Sequence, residues 1–164
     1  MLWGVIMVLK FDLKRFLISL AIPLLTGALS AIITSGSMNI YSQIKSPPLA
    51  PPGWLFPVVW SVLYTLMGIS LYIVWNSGAK QQEKLVAFIF FGIQLFLNFI
   101  WSPIFFNKQW FLASFIILVV LWLFTLGMII SFYKVSKFAG LLQIPYLLWL
   151  SFAGYLNYAI YLLN

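Results

Sequence analysis

The chain has 164 residues, 64% of them hydrophobic and 7% charged, with a formal net charge of +7 and a mean hydropathy of +1.08, a composition far from that of a soluble domain. It contains no His and no Cys, which excludes disulfides, thiolate chemistry, metal or haem ligation by these residues, and histidine acid/base catalysis. The basic residues are scattered among loops rather than gathered in a stripe with interleaved aromatics, so the positive charge does not point to nucleic acid.

Five stretches reach the length of about 20 apolar residues that crosses a bilayer, with no Asp, Glu, Lys or Arg inside them. They are residues 16–36, 54–75, 85–106, 110–133 and 138–163. The expected fold is an all-α integral membrane protein, a single-domain bundle of five transmembrane helices, with short connections making sequential spans antiparallel neighbours. Residues 1–9 are apolar but too short to span; they lie in the interface, or Met7 is the true start. The first span is too long for the apolar core of a signal peptide. Its Gly27, Ala31 and Ser35 recur every four residues, a small-residue face suited to packing within the bundle or to dimerisation. Lys10, Lys14, Arg15, Lys80, Lys84, Lys134 and Lys137 fall in the tail and the second and fourth connections, whereas Lys45 and Lys108 fall in the first and third. That asymmetry places the N-terminus in the cytoplasm.

The first connection ends in SPPLAPPGWLFPVVW (46–60), which holds five of the chain's eight prolines. Pro47, Pro48, Pro51 and Pro52 predict an extended, stiff segment. Gly53 predicts a tight change of direction, and Pro57 falls where a first helical turn tolerates it. Trp54 and Trp75 lie about 31 Å apart along the second span, one at each interface, and Trp110 opens the fourth span in the same way. Trp60 is too deep for the interface, and with Tyr64 and Gly68 it forms a stripe at steps of four.

Both carboxylates of the chain, Asp12 and Glu83, lie outside the spans. Ion-coupled transport and hydrolysis by paired acids or a Ser-His-Asp triad therefore lack their ionisable groups at membrane depth. The third span instead carries Gln94, Asn98, Trp101 and Ser102 on one stripe. Two amides at that depth must face the interior or a wet cavity, either hydrogen-bonding neighbouring helices or reaching a ligand. In the fifth span Tyr146, Trp149, Ala153 and Asn157 share a face, and Pro145, about two turns in, frees a backbone carbonyl. Such aromatic stripes commonly form ordinary core; a cavity lined by Trp60, Trp101 and Trp149 would suit a flat, conjugated ligand.

The segments PPGWLFPVVWSVLYTLMG (51–68), QLFLNFIWSPIFF (94–106) and PYLLWLSFAGYLNY (145–158) closely resemble the TspO/MBR family of tryptophan-rich sensory proteins, whose animal members are translocator proteins, or peripheral benzodiazepine receptors. The resemblance covers residues 47–161 and marks the chain as a bacterial-type member. It implies a five-helix bundle of the cell membrane, often a homodimer, that binds porphyrins such as protoporphyrin IX and benzodiazepine-type ligands beneath the first loop, with no cofactor required. Trp60 and Trp149 match the tryptophans of the porphyrin site, where light-dependent porphyrin breakdown is the alternative, enzyme-like activity. Tyr64, Asn98, Trp101 and Ala153 match pocket-lining positions, and Tyr41, Pro47, Pro51 and Gly53 match the lid loop. Ile116 stands where many relatives carry an Asp, which removes a polar contact expected from the fourth span. No basic residue follows Tyr158 or Tyr161, so the weak sterol-recognition pattern of the animal members is not present and cholesterol is not expected as a partner.

Overall fold

In the computed structural model, which describes residues 11–37 and 39–164, Asp12 starts the first span. Its carboxylate accepts a 3.0 Å hydrogen bond from the backbone N–H of Arg15, satisfying one of the free donors at the head of α1 (Leu13–Thr34). Residues 1–9, including the alternative start at Met7, lie outside the described residues. A 3₁₀ turn (Ser35–Ser37) and the four-residue α2 (Ile40–Gln43) lead through the proline-rich connection to α3 (Leu55–Trp75). Then follow α4 (Gln81–Phe106), α5 (Phe111–Val135), α6 (Lys137–Leu141) and α7 (Ile144–Leu163). Among the described residues there is no strand, and five helical stretches are long and apolar enough to cross a membrane.

The helices form a ring in which α1 packs along α3 and also against α4, α4 packs on α5, α5 packs on α6 and α7, and α6 closes back on α3. The expectation that every sequential pair of spans would be neighbours fails at α3 and α4, whose backbones scarcely meet despite the short connection between them. The reason is Gly68: a Cβ there would stand 2.7 Å from the Cα of Leu20 and 2.9 Å from the carbonyl oxygen of Ser19. The missing side chain lets α1 dock directly on the α3 backbone, and α1 in turn packs against α4, so that it stands between the two. Met67, Val74, Met128, Phe132 and Tyr146 are among the fully buried side chains between the helices. The outer faces of the helices carry exposed Leu, Ile, Val and Phe in quantity, as a chain solvated by hydrocarbon must.

Two expectations about the proline segments are corrected. The fifth span is not one helix with a proline two turns inside it. It is α6 and α7 in succession, with Pro145 in the first turn of α7, where its missing N–H costs no helical hydrogen bond. The break is fastened to α3: the Gln143 amide donates to the Leu66 carbonyl (3.1 Å) and to the Ser70 hydroxyl (2.7 Å), and that hydroxyl donates to the Ala139 carbonyl (3.1 Å).

Nor is the first connection extended through Gly53. The chain turns at Pro47–Ala50, where the Ala50 N–H bonds to the Pro47 carbonyl (3.2 Å) and Leu49 sits in the left-handed region at φ 68°. Gly53 does lie in a turn, where the Leu55 N–H bonds to the Pro52 carbonyl (3.0 Å) on entry to α3, but it has no positive φ, and a Cβ on it would meet nothing within 4 Å, so the turn does not require glycine. The turn is held from outside by α7. Tyr155 donates its phenol to the Pro48 carbonyl (2.8 Å), and Asn164 makes two hydrogen bonds to the backbone of Lys45 (3.0 and 3.2 Å). Pro57 lies in the first turn of α3, as expected. Trp54 and Trp110 are exposed at 69% and 61%, and the Arg15 guanidinium lies 5.9 Å over the Trp75 ring, placements that suit interface anchors.

Candidate functional site

The step-of-four stripe on α3 builds one wall of a cleft. Trp60 and Tyr64, one helical turn apart, stack with ring centroids 5.3 Å apart. The same stripe extends one turn back to Phe56, which also lines the cleft; that spacing was present in the sequence and marks Phe56 as a site residue the motifs alone did not single out. Opposite stands the small-residue face of α1. Gly27, Ala28, Ala31 and Ser35 line the cleft, and a Cβ on Gly27 would lie 2.3 Å from Cε2 of Tyr64. Within the chain, Gly27 of this small-residue face packs against α3. The face seats the Tyr64 ring and, one and two turns further on, leaves an empty space.

That space is a cavity of about 460 Å³ between α1, α3 and α4, closed on the α4 side by Trp101, Ser102 and Phe106. Ser30, Thr34 and Tyr64 are buried at its base, whereas Leu24, Ala28, Ala31, Pro57 and Ser61 are exposed at its rim. Since the rim belongs to α1 and α3, the cleft opens sideways between them, at membrane depth.

Behind Tyr64 runs a hydrogen-bonded chain across the interior. The Tyr64 phenol donates to Oδ1 of Asn98 (2.6 Å), Nδ2 of Asn98 donates to the Tyr146 oxygen (3.0 Å), and the Tyr146 phenol donates to Oε1 of Gln94 (3.0 Å). The amides of α4 are therefore engaged with α3 and α7, the first of the two roles open to them from the sequence. Gln94 and Asn98 are buried and do not line the cleft; Tyr146 touches it only through Trp60, whose ring it meets edge-on at 6.2 Å. Nε2 of Gln94 is buried with no hydrogen-bond partner.

A second cluster orients Trp101. Its indole N–H donates to Oδ1 of Asn157 (3.1 Å), and Nδ2 of Asn157 donates to the Phe111 carbonyl (2.8 Å). Ser114 places its hydroxyl 3.1 Å from the same Oδ1. Asn157 thus acts from behind the cleft wall, joining α7 to α4 and α5. The face of α7 carrying Trp149 and Ala153 does not reach the cleft either. Trp149 meets Phe56 edge-on at 5.9 Å, and its indole N–H is buried without a partner. Of the three tryptophans expected around one cavity, the structure brings Trp60 and Trp101 to it and sets Trp149 one ring behind.

The remaining predicted positions lie apart. Pro47, Pro51 and Gly53 belong to the connection leading into α3 and are not in the cleft wall, and the side chain of Tyr41 lies outside the described residues. Ile116 is 56% exposed on the outer face of α5, pointing away from the interior. Among the described residues no group of His, Cys, Asp or Glu is placed to hold a metal ion.

The model of the TspO/MBR family matches residues 19–163. The chain is 45% identical over 124 residues to the tryptophan-rich protein TspO of Chlorobaculum tepidum, covering 76% of this chain and 78% of that protein. It is 38% identical over 154 residues to the tryptophan-rich protein TspO of Archaeoglobus fulgidus (93% and 99%), and 34% identical over 139 residues to the translocator protein of Bos taurus (84% and 82%).

Proposed function

Given that this chain belongs to the TspO/MBR family, and so is an integral membrane protein of a receptor or sensory kind, we propose that it binds porphyrins of the protoporphyrin type in the cleft between α1, α3 and α4. One observation carries the reading: the stacked Trp60–Tyr64 pair and Trp101 present aromatic surface to a cavity of about 460 Å³ that opens into the hydrocarbon. The volume falls within the roughly 300–1,000 Å³ of drug-sized ligand sites. A flat conjugated ring gains dispersion and stacking against indole and phenol faces, and a sideways mouth suits a ligand already dissolved in the membrane. Benzodiazepine-type ligands, whose separate aromatic rings can stack on indole and phenol faces in the same way, would use the same surface.

With neither His nor Cys in the chain, a metalloporphyrin finds no imidazole or thiolate and is held by its faces, on the same terms as the free base. The hydroxyls of Ser30, Thr34, Ser35, Ser61 and Ser102 supply the polar groups, although those of Thr34, Ser35 and Ser61 already donate to carbonyls of their own helical segment at Ser30, Ile32 and Pro57. Titrating the purified protein with protoporphyrin IX while following tryptophan fluorescence tests the proposal. Saturable quenching that weakens in Trp60→Leu supports it; quenching indistinguishable from that of protein-free micelles with added tryptophan overturns it.

A further inference from the structure

At the opposite end of the bundle a second hollow, of about 570 Å³, lies between the start of α4 and the end of α5. Its upper rim is polar: Lys80, Gln82 and Glu83 from α4, and Lys134 from α5. Its lower wall is mainly apolar, made by Val86, Phe90 and Ile130, with the Ser131 hydroxyl turned back to the Met128 carbonyl of its own helix (2.9 Å). Gly127 sets the shape of that wall, because a Cβ there would stand 2.4 Å from Cε1 of Phe90. Without it the Phe90 ring lies flat against the α5 backbone, leaving a furrow instead of a ridge.

Of the charges at the rim, the two ammonium groups, of Lys80 and Lys134, lack an ion-pair partner among the described residues, whose single salt bridge is Arg15–Asp12. Lys84, by contrast, is occupied with the carbonyls of Trp75 and Ser77. The Glu83 carboxylate accepts a 3.3 Å hydrogen bond from the Lys80 backbone N–H and so is turned toward the helix start. Two ammonium groups against one committed carboxylate, directly above an apolar furrow within the spans, match an anionic headgroup continuous with an acyl chain. A free anion would satisfy only the rim, and a neutral lipid only the furrow.

We infer that this hollow is a binding site for one anionic phospholipid, with the phosphate between Lys80 and Lys134 and an acyl chain along Val86, Phe90 and Ile130. The basic end of the bundle faces the cytoplasmic leaflet by the positive-inside rule, which is where anionic lipids supply such headgroups.

The test is native mass spectrometry of the full chain titrated with phosphatidylglycerol, phosphatidylcholine or inorganic phosphate. Phosphatidylglycerol is expected to bind roughly tenfold more tightly than phosphatidylcholine, and Lys80→Gln/Lys134→Gln to abolish that preference. Lys14→Gln/Arg15→Gln removes the same charge elsewhere at this end and should keep it. Val86→Trp, at an exposed position on the furrow, should weaken both lipids. The inference is overturned if the two double variants behave alike, if Val86→Trp changes nothing, or if inorganic phosphate displaces phosphatidylglycerol completely, which would leave an anion site without a lipid furrow.

Discussion

The phenol of Tyr64 lies 2.6 Å from Oδ1 of Asn98, so the residue that floors the cleft is also the first link of the chain that joins α3 to α4 and α7. Cleft shape and bundle cohesion consequently depend on the same side chain. Tyr64→Phe keeps the ring on Gly27 but leaves a buried amide oxygen short of a donor. It should cost about 1–2 kcal/mol in thermal unfolding of the detergent-solubilised protein while lowering porphyrin affinity only slightly, since the stacking face remains.

Gly27 and Ala31 face the same cleft with opposite consequences. A Cβ at Gly27 collides with the Tyr64 ring, so Gly27→Ala must rotate that ring and break its bond to Asn98, with a stability loss of about 1–3 kcal/mol. Ala31 is an exposed rim position, and Ala31→Leu fills the cleft without disturbing the core. Porphyrin titration should show lost binding with an unchanged unfolding temperature, a separation of the two readouts that a generally loosened bundle would not give.

Asn157 and Trp101 form a pair that a double-mutant cycle can isolate. Asn157→Leu leaves the half-buried Trp101 N–H unpartnered, which should cost about 1–2 kcal/mol and loosen the indole that closes the α4 side of the cleft. Trp101→Phe removes the donor itself. The double variant should therefore recover part of the stability lost in Asn157→Leu, giving a coupling of about 0.5–2 kcal/mol; additive losses would place the role of Asn157 in its bond to the Phe111 carbonyl instead.

The first connection offers a backbone prediction. Leu49 holds φ 68° while 81% exposed, so its side chain gains little packing within the chain in return for a strained backbone. Leu49→Gly should raise the unfolding temperature or leave it unchanged, and Leu49→Val, whose branched Cβ tolerates that region least, should lower stability by about 1–2 kcal/mol. Gly53→Val should do neither, because the position has ordinary φ and open space around it.

These outcomes also mark how far the sequence could be read. The spans were legible because each carries some twenty apolar residues uninterrupted by charge, and Pro57 marks a helix start by local chemistry alone, whereas the cap at Asp12, four residues before the first apolar run, emerged only from the structure. The polar residues were legible too: Asn98 and Gln94 cannot face lipid, so their inward direction followed from cost. The aromatic residues were not. On a helix solvated by hydrocarbon, an indole is tolerated on either face, and a period of 3.6 identifies which residues share a face without naming the helix opposite. Trp149 therefore looked equivalent to Trp60, and only the placement of Phe56 separates them. The turn at Leu49 was hidden for a different reason. It opposes the local preference of Leu and is held by Tyr155 and Asn164, more than a hundred residues away.

The separation of Trp60 from Trp149 decides what light should do to a bound porphyrin. Trp60 lines the cleft, so an occupant touches its indole directly, while Trp149 is reached through Phe56. If illumination in the presence of oxygen destroys the porphyrin with an indole as reaction partner, loss of the porphyrin absorbance band should slow strongly in Trp60→Phe. It should slow less in Trp149→Phe, where a ring still intervenes between ligand and site. Affinity must be measured in the same variants, because Trp60→Phe also removes stacking area; rates are therefore compared with the cleft saturated. A loss of breakdown confined to Trp149→Phe would mean that the porphyrin lies on the α7 side of Phe56, outside the cleft assigned to it. Equal rates in both variants and the parent would leave binding alone, with the photochemistry belonging to the pigment and oxygen.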